Sequence, residues 1–300
     1  MKLGEPTLDQ LRIFLAVEEA GSFGGAARRM GRAVSAISYG IAQLEAQLGL
    51  TLFEREGSRK PVLSDAGRGL LAEARAVTDR ADMLLAKTRS LHAGIESDVS
   101  LVVDVMVPGD VTASVLGAFR ERYPTVSLRL QVEGLGAVAA CLIERSSIVG
   151  VGGPVIADHP ELERQDIGAI DLVPVAAPDH PLAKGTNRPG AGRDHLQLVL
   201  ADRSQLTRGR EFSVMSARTW RLGDLAAKHA LLKEGLGWGN MPRPMILADL
   251  ASGALVELDL PEKPGVSYRL SALWRRDTRP GPATSWLIDA LRERLAECPR

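Results

Sequence analysis

The stretch "GRAVSAISYGIAQLEAQLG", residues 31–49, decides how this chain is read. Ile37, Ile41, Leu44 and Leu48 recur at the spacing of a buried helical stripe, Gly49 supplies the stop, and Gly31 places a tight turn in front. Upstream, "SFGGAARRM" (22–30) predicts a short helix capped by Ser22, in which Gly24, Gly25, Ala26 and Ala27 leave room for another helix to approach closely. Leu8, Leu11, Phe14, Leu15 and Val17 predict a further amphipathic helix ending near Gly21. Three short helices with a tight turn between the second and third predict a helix-turn-helix.

Downstream, "LTLFEREGSRKPVLS" (50–64) reads as two short strands around a Gly/Ser/Arg/Lys tip, the shape of a β-wing. Ser64 then caps a long helix with Asp65 in its first turn. Along it Leu70, Ala74, Val77, Ala81, Leu84, Thr88 and Leu91 alternate steps of four and three, a period of 3.5 that predicts a two-helix coiled-coil seam. "LHAGIESDV" (91–99) reads as a hinge. From Ser100 strands alternate with helices: strands in "SLVVDVMV", "VSLRLQVEG", "SIVGVGG", "LVPVAAP", "LQLVLAD" and "SYRLSALWRR", and helices in "VLGAFRERYP", "VAACLIER", "LGDLAAKHALLKEG" and "ATSWLIDALRERLAE". This alternation predicts an α/β sheet covered on both faces, whose last strand and helix rejoin the first half to give two lobes with a cleft between them.

Composition bounds the function. Three hundred residues accommodate two or three modules, and 45% hydrophobic with 25% charged residues is an ordinary globular balance. No apolar run approaches the roughly 18–20 residues of a membrane span. The N-terminus lacks the apolar core and cleavage site of a secretory signal, so a cytoplasmic location is expected. Cys141 and Cys298 sit far apart without zinc-site spacing, so neither a disulfide nor a metal is expected. Charge is balanced at 37 basic against 37 acidic residues, yet Arg28, Arg29, Arg32, Arg55, Arg59 and Lys60 gather around the predicted turn and wing. No GxSxG, HExxH, GxxxxGK[ST] or GxGxxG is present, "GLGWGN" fails the last pattern, and His180 and His229 read as structural. An enzyme is therefore not expected. A periplasmic solute-binding protein, which the C-terminal lobes alone would suit, is disfavoured by the N-terminal helices and the missing signal.

The series "LRIFLAVEEAGSFGGAARRM…AISYGIAQLEAQLGLTLFEREGSRKPVLSDAGRGLL" resembles the LysR-type transcriptional regulators without a gap, with Phe14, Val17, Gly21, Ser22, Phe23, Ala26, Ala27, Ser38, Ile41, Leu44, Glu45, Gly49, Leu52, Phe53, Arg55, Leu63, Ser64, Ala66 and Gly67 at the family's spacing. "FRERYPTVSL", "APDHPLA", "LADRS", "TWRLGDLAAKHALLKEGLGWGNMPRPM" and "DLASGALVEL" look like the family's effector-binding domain, and "SAISY", "GLGWGNMPRPM" and "WRRD" look like its YhaJ-type branch.

The resemblance implies an α + α/β architecture. A winged helix-turn-helix covers 1–63, a linker and dimerisation helix 64–94, and a two-lobed α/β effector domain similar to periplasmic binding proteins 95–300. It implies sequence-specific binding of double-stranded DNA controlled by a small-molecule effector, a dimer through the linker helix, a tetramer, and engagement of RNA polymerase.

Family members commonly begin the recognition helix with serine and glutamine, where this chain carries Ala33 and Val34. Glutamine can bond an adenine edge twice, whereas Val34 offers apolar contact only. Base reading is then expected from Val34, Ser35, Ser38 and Tyr39, with phosphate contacts from Arg28, Arg29 and Arg32 at the turn and Arg55, Arg59 and Lys60 at the wing. For the effector, the resemblance implies a cleft lined by Met106, Val107, Pro108, Gly109, Gly134 and Leu135 from one lobe. Asp202, Arg203, Ser204, Thr219, Trp220 and Trp238 would come from the other, Thr219 just before a helix and Trp220 placed to stack on a planar ring. A small organic anion or aromatic acid is the expected ligand class, and no other cofactor is expected.

Overall fold

A computed structural model describes residues 4–54, 60–156, 159–185, 187–261 and 265–298. The chain forms two units, residues 1–89 and 90–300.

Local capping chemistry defines the first unit. Helix α1 (Leu8–Ala20) opens with a reciprocal box: the Thr7 hydroxyl accepts the Gln10 N–H at 3.3 Å, and the Gln10 side chain accepts the Thr7 N–H at 2.8 Å. Helix α2 (Phe23–Met30) opens on Ser22, whose hydroxyl accepts the Gly25 N–H at 3.0 Å. Gly31 closes it at φ 62°, a left-handed turn that costs a Cβ-free residue little, and α3 (Val34–Leu48) follows. Ile13, Phe14 and Val17 meet Ile37, Ile41 and Leu44 in a buried core that Leu52 and Phe53 complete. Helices α1 and α3 approach closely at Gly40, where a Cβ would lie 2.6 Å from Ile13 Cδ1. The expectation that Gly24 admits a neighbouring helix is corrected: a Cβ there would meet only Arg28, at 3.9 Å.

The wing pairs β1 (Phe53–Glu54) with β2 (Val62–Leu63) antiparallel, Phe53 opposite Leu63. Glu45 of α3 fastens it by accepting the Leu52 and Phe53 N–H groups at 2.7 and 3.2 Å. Ser64 caps α4 (Asp65–His92) through the Gly67 N–H at 2.9 Å. The predicted seam divides: Leu70 and Ala74 pack on this unit's own core, whereas Val77, Leu84 and Leu91, seven residues apart, are 51%, 67% and 55% exposed.

The second unit is built on one nine-stranded sheet among the described residues. In chain order its elements are β3 (Asp98–Asp104), α5 (Gly109–Arg122), β4 (Ser127–Glu133), α6 (Gly136–Ile143), β5 (Val149–Gly152) and β6 (Leu162–Ala176). Then come β7 (Gln197–Leu200), β8 (Thr219–Leu222), α7 (Leu225–Lys233), β9 (Trp238–Pro242), α8 (Leu247–Ser252), β10 (Val256–Glu257), β11 (Val266–Arg275) and α9 (Pro282–Ala296). The order β4-β3-β5-β11-β6-β9-β7-β8, with β10 on β6, sets two parallel patches, β4-β3-β5 and β9-β7-β8, on either side of the antiparallel pair β11-β6. Each patch is one lobe, and β11 and β6 join them. The last strand and helix rejoin the first half: β11 pairs with β5, and Glu96 accepts the α9 N–H groups of Ala283 and Thr284 at 2.9 and 3.1 Å. Burial opposes its charge, but these bonds outweigh burial and hold the Glu96 carboxyl below its ordinary range.

Two expectations are corrected. Strand β6 begins at Leu162, ten residues before the predicted "LVPVAAP", because a bulge opposite Leu270/Ser271 shifts the register and breaks the alternation that marks a strand. Thr219 opens strand β8, and the helix starts only at Leu225 behind Asp224, whose carboxylate caps it through the Ala227 N–H at 2.6 Å. Both cysteines are free and half-buried. No helix among the described residues is long and apolar enough to cross a membrane.

Candidate nucleic-acid interface and ligand cleft

Helix α3 has two faces. Ile37, Gly40, Ile41 and Leu44 are buried, while Val34, Ser35, Ser38 and Tyr39 form an exposed stripe at the N-terminal end; Val34 is 50% and Tyr39 67% exposed. Ala33 supplies no side-chain cap, so the first N–H groups of α3 face solvent and are available to a phosphate oxygen. The Tyr39 hydroxyl accepts the Gln43 amide N–H at 3.2 Å, which steadies the ring on the helix.

The arginines around the turn differ. Arg28 is exposed and makes no ion pair among the described residues. Arg29 pairs with Glu19 at 2.8 Å, and Arg32 forks onto both oxygens of Asp9 at 2.8 Å each. The bidentate hydrogen bond from Arg32 holds the Asp9 carboxyl below its ordinary range. Lys60 is exposed two residues before β2, and Arg55 and Arg59 lie outside the described residues.

In the second unit a cleft of about 290 Å³ opens where the two lobes meet. Met106 at the end of β3 and Leu135 before α6 line it from one side. Leu172, Leu198, Leu200, Phe212 and Val266 extend the apolar wall, and Gln197, Glu211, Ser213, Lys228, Asn240, Ser267 and Tyr268 are its polar members. Leu135 takes φ 54° and ψ −124° at the second place of the 134–137 turn, a conformation that suits glycine, at a cost of about 1–3 kcal/mol. Asp202 braces this turn by accepting the Gly136 N–H at 3.0 Å and holds its own loop through the Ser204 N–H at 2.8 Å and the Thr207 hydroxyl.

Gln197, 1% exposed, accepts the Met215 and Ser216 N–H groups at 2.8 and 3.1 Å and donates to the Ser213 carbonyl at 2.8 Å, which fixes the lip. On the floor, the Tyr268 hydroxyl donates to Asp104 at 2.8 Å, and Asp104 also accepts the Met106 and Gly153 N–H groups at 2.9 and 3.3 Å. Burial outweighs those bonds and pushes the Asp104 carboxyl up to about 6. A Cβ at Gly153 would stand 1.8 Å from the Tyr268 oxygen, so any other residue there would displace the Tyr268 ring from Asp104.

The remaining cleft candidates separate. Val107 and Gly109 line a second cavity, of about 540 Å³, with α5, β4 and α7, and Pro108 precedes α5. Asp202 and Ser204 belong to a polar vestibule with Arg208, Arg210 and Arg221 that shares Leu135, Leu200 and Phe212 with the cleft. Gly134 and Arg203 line a small recess beside Glu133. Thr219 and Trp220 stand outside the cleft lining, with Trp220 47% exposed on β8. Trp238 is corrected to a core residue: it is fully buried and its ring N–H donates to the Gly192 carbonyl at 3.0 Å.

Sequence reasoning missed Lys228, Asn240, Gln197 and Tyr268. The signal for Lys228 was present, because Leu225, Lys228 and Leu232 make up the buried stripe of α7 and put an ammonium where a hydrophobe belongs. No group of His, Cys, Asp and Glu among the described residues could hold a metal ion.

A winged helix-turn-helix and a separate α/β unit with a ligand cleft, carried on one polypeptide, define a one-component regulator that joins a DNA reader to a sensor. The family model "Bacterial regulatory helix-turn-helix protein, lysR family" matches residues 8–68 and "LysR substrate binding domain" matches 92–296; the chain belongs to the LysR family of transcriptional regulators.

Among curated relatives, the probable HTH-type transcriptional regulator YhaJ of Escherichia coli K12 is 29% identical over 289 residues, covering 94% of each chain. The regulator AceR of Acinetobacter baumannii is 26% identical over 306 residues, covering 95% of this chain and 96% of its own. Among solved structures, full-length LysG of Corynebacterium glutamicum with bound effector Arg superposes with a TM-score of 0.55 at 19% identity, covering 98% of this chain and 99% of its own. These findings assign DNA binding to the helix-turn-helix and effector binding to the α/β unit, in a family of regulators rather than enzymes.

Proposed function

We propose that this regulator reads its operator through the exposed stripe Val34, Ser35, Ser38 and Tyr39 of α3. The observation that carries the reading is the two-faced helix: the same residues that leave this stripe in water seat Ile37, Ile41 and Leu44 in the core. A helix so presented enters the major groove, where Val34 meets a thymine methyl and the hydroxyls reach base edges. Arg28 and Lys60 hold phosphates, Arg29 and Arg32 join them by releasing Glu19 and Asp9, and Arg55 and Arg59 extend the contact from the wing.

The exposed residues Val77, Leu84 and Leu91 of α4 make the dimer seam, and dimers associate into tetramers that engage RNA polymerase. The protein acts in the cytoplasm. Its effector sits in the cleft between Met106 and Leu135 on one lobe and Leu198, Lys228 and Asn240 on the other, with Asp202, Arg203 and Ser204 at the lip. Ligand binding shifts the lobes or the docking of subunits, and with them the spacing of paired recognition helices.

The test is to incubate the full-length protein with sheared genomic DNA, sequence what is retained and footprint the recovered sites. A shared two-fold motif is the expected result; retention without a motif removes the base-reading role of α3.

A further inference from the structure

Lys228 is 3% exposed and lines a cleft whose other walls are mainly apolar. Its ammonium donates to the backbone carbonyl of Asn240 at 2.6 Å, so the charge and residue 240 form one corner of the cleft. The Asn240 side-chain oxygen is shut off from solvent and receives no hydrogen bond among the described residues. A buried acceptor without a donor is costly, and that cost is recovered when a donor draws the amide into use. One corner therefore offers a positive charge for an anion and an acceptor that lacks a donor.

The approach to this corner carries a small excess of positive charge. Arg208, Arg210 and Arg221 line the vestibule with Asp202 and Glu211, and Glu211, which pairs with Arg221, also lines the cleft. Three cations against two carboxylates favour anions at the lip. The cleft volume of about 290 Å³ is roughly twice the ~150 Å³ cavity that holds a benzene molecule, which suits one ring or a branched chain with a polar head.

We infer that the effector is a small apolar monocarboxylate bearing a neutral hydroxyl or amide N–H beside its carboxylate, with the carboxylate on Lys228 and the neutral donor on the Asn240 side-chain oxygen. A free α-ammonium is disfavoured, because it would stand beside the Lys228 charge. This inference rests on the effector role proposed for the cleft and adds the chemistry that the cleft selects.

The experiment titrates full-length protein with four probes of one size: 3-phenyllactate, 3-phenylpropanoate without the hydroxyl, 3-phenyllactamide without the charge, and phenylalanine with an ammonium in place of the hydroxyl. By calorimetry 3-phenyllactate is expected to bind at least tenfold more tightly than each of the other three. Lys228→Met is expected to abolish the preference over the amide, and Asn240→Ala the preference over 3-phenylpropanoate. The wild-type series needs no variant, so it decides the matter even where Lys228→Met fails to fold.

Equal or tighter binding of the amide or of phenylalanine overturns the assignment, as does the absence of 3-phenyllactate binding at about 10 mM. Footprints are recorded alongside. A neutral probe that binds and alters the footprint leaves the cleft an effector site and removes only the anionic chemistry; binding of 3-phenyllactate that leaves every footprint unchanged supports the anchor and counts against the regulatory role of the cleft.

Discussion

The Asp202 carboxylate accepts the backbone N–H of Gly136 at 3.0 Å, linking the loop after β7 to the first residue of α6 across 66 positions of sequence. The same carboxylate holds Ser204 and Thr207, and the turn it braces keeps Leu135 in a glycine-like conformation beside the cleft. Removing it leaves a half-buried N–H and a strained turn without support. Asp202→Ala is expected to destabilise the α/β unit by about 1–3 kcal/mol. All four tryptophans, at 220, 238, 274 and 286, belong to this unit, so their emission during thermal unfolding follows it alone. An unchanged midpoint would show that Asp202 braces nothing.

Val34 stands half exposed on α3 and supports none of the core, so its side chain can be exchanged without disturbing the fold. Val34→Gln supplies a side chain able to pair with an adenine edge. It is expected to add about 1–3 kcal/mol of preference for one base pair per half-site. Selection from randomised DNA measures this; an unaltered motif would place residue 34 away from the bases.

If Arg32 holds a phosphate, Asp9 competes with DNA for it, since its two oxygens take the whole guanidinium fork. Asp9→Asn removes the charge that holds the fork and also a negative group near the turn. The variant is expected to bind specific and unrelated DNA more tightly, with a salt slope steeper by about 0.9 for each phosphate gained. An unchanged slope would mean that Arg32 serves only α1.

Local signals carried most of the fold. The stops at Gly21, Gly31 and Gly49 and the caps at Ser22 and Ser64 stand where the sequence places them, because each depends on a few neighbouring residues. Strand β6 was legible only in its second half, since the bulge at Gly168 depends on β11, about a hundred residues away in sequence. The cleft was least legible. Lys228, Asn240 and Tyr268 converge from α7, β9 and β11 through sheet order, which no spacing along the chain encodes. The resemblance placed Trp238 in the cleft, but Gly192 makes room for its ring in the core, where a Cβ at residue 192 would stand 3.0 Å from it.

The apolar stripe of α4 meets two fates. Its early members fill the core of the first unit, and Val77, Leu84 and Leu91 remain in water at heptad spacing, with Met83 and Leu85 beside them. Leu84 is two-thirds exposed and belongs to no buried core, so circular dichroism of Leu84→Glu is expected to be unchanged. Two glutamates would then face each other in a paired seam, and the dimer is expected to weaken at least tenfold, about 1.4 kcal/mol, in sedimentation. Dimers that survive would locate the interface elsewhere.

Asp104 gives the α/β unit a pH dependence of unusual sign. Its folded carboxyl titrates near 6 against an ordinary 3.8, chiefly because burial penalises the charge. Between about pH 4 and 6 the folded chain therefore binds more protons than the unfolded chain, so stability falls as pH rises through this window and stays lower above it. The shift corresponds to about 3 kcal/mol when fully expressed. Glu96 and Asp249 act oppositely: their folded carboxyls are lowered, and the stability they lend is lost as pH falls. The comparison that isolates Asp104 is wild type against Asp104→Asn, unfolded by urea at several pH values with tryptophan emission as the probe. The difference in stability between the two is expected to shift in favour of the variant from pH 4 to pH 6 and to be flat above. A difference independent of pH would show that the Tyr268, Met106 and Gly153 hydrogen bonds already compensate the buried charge.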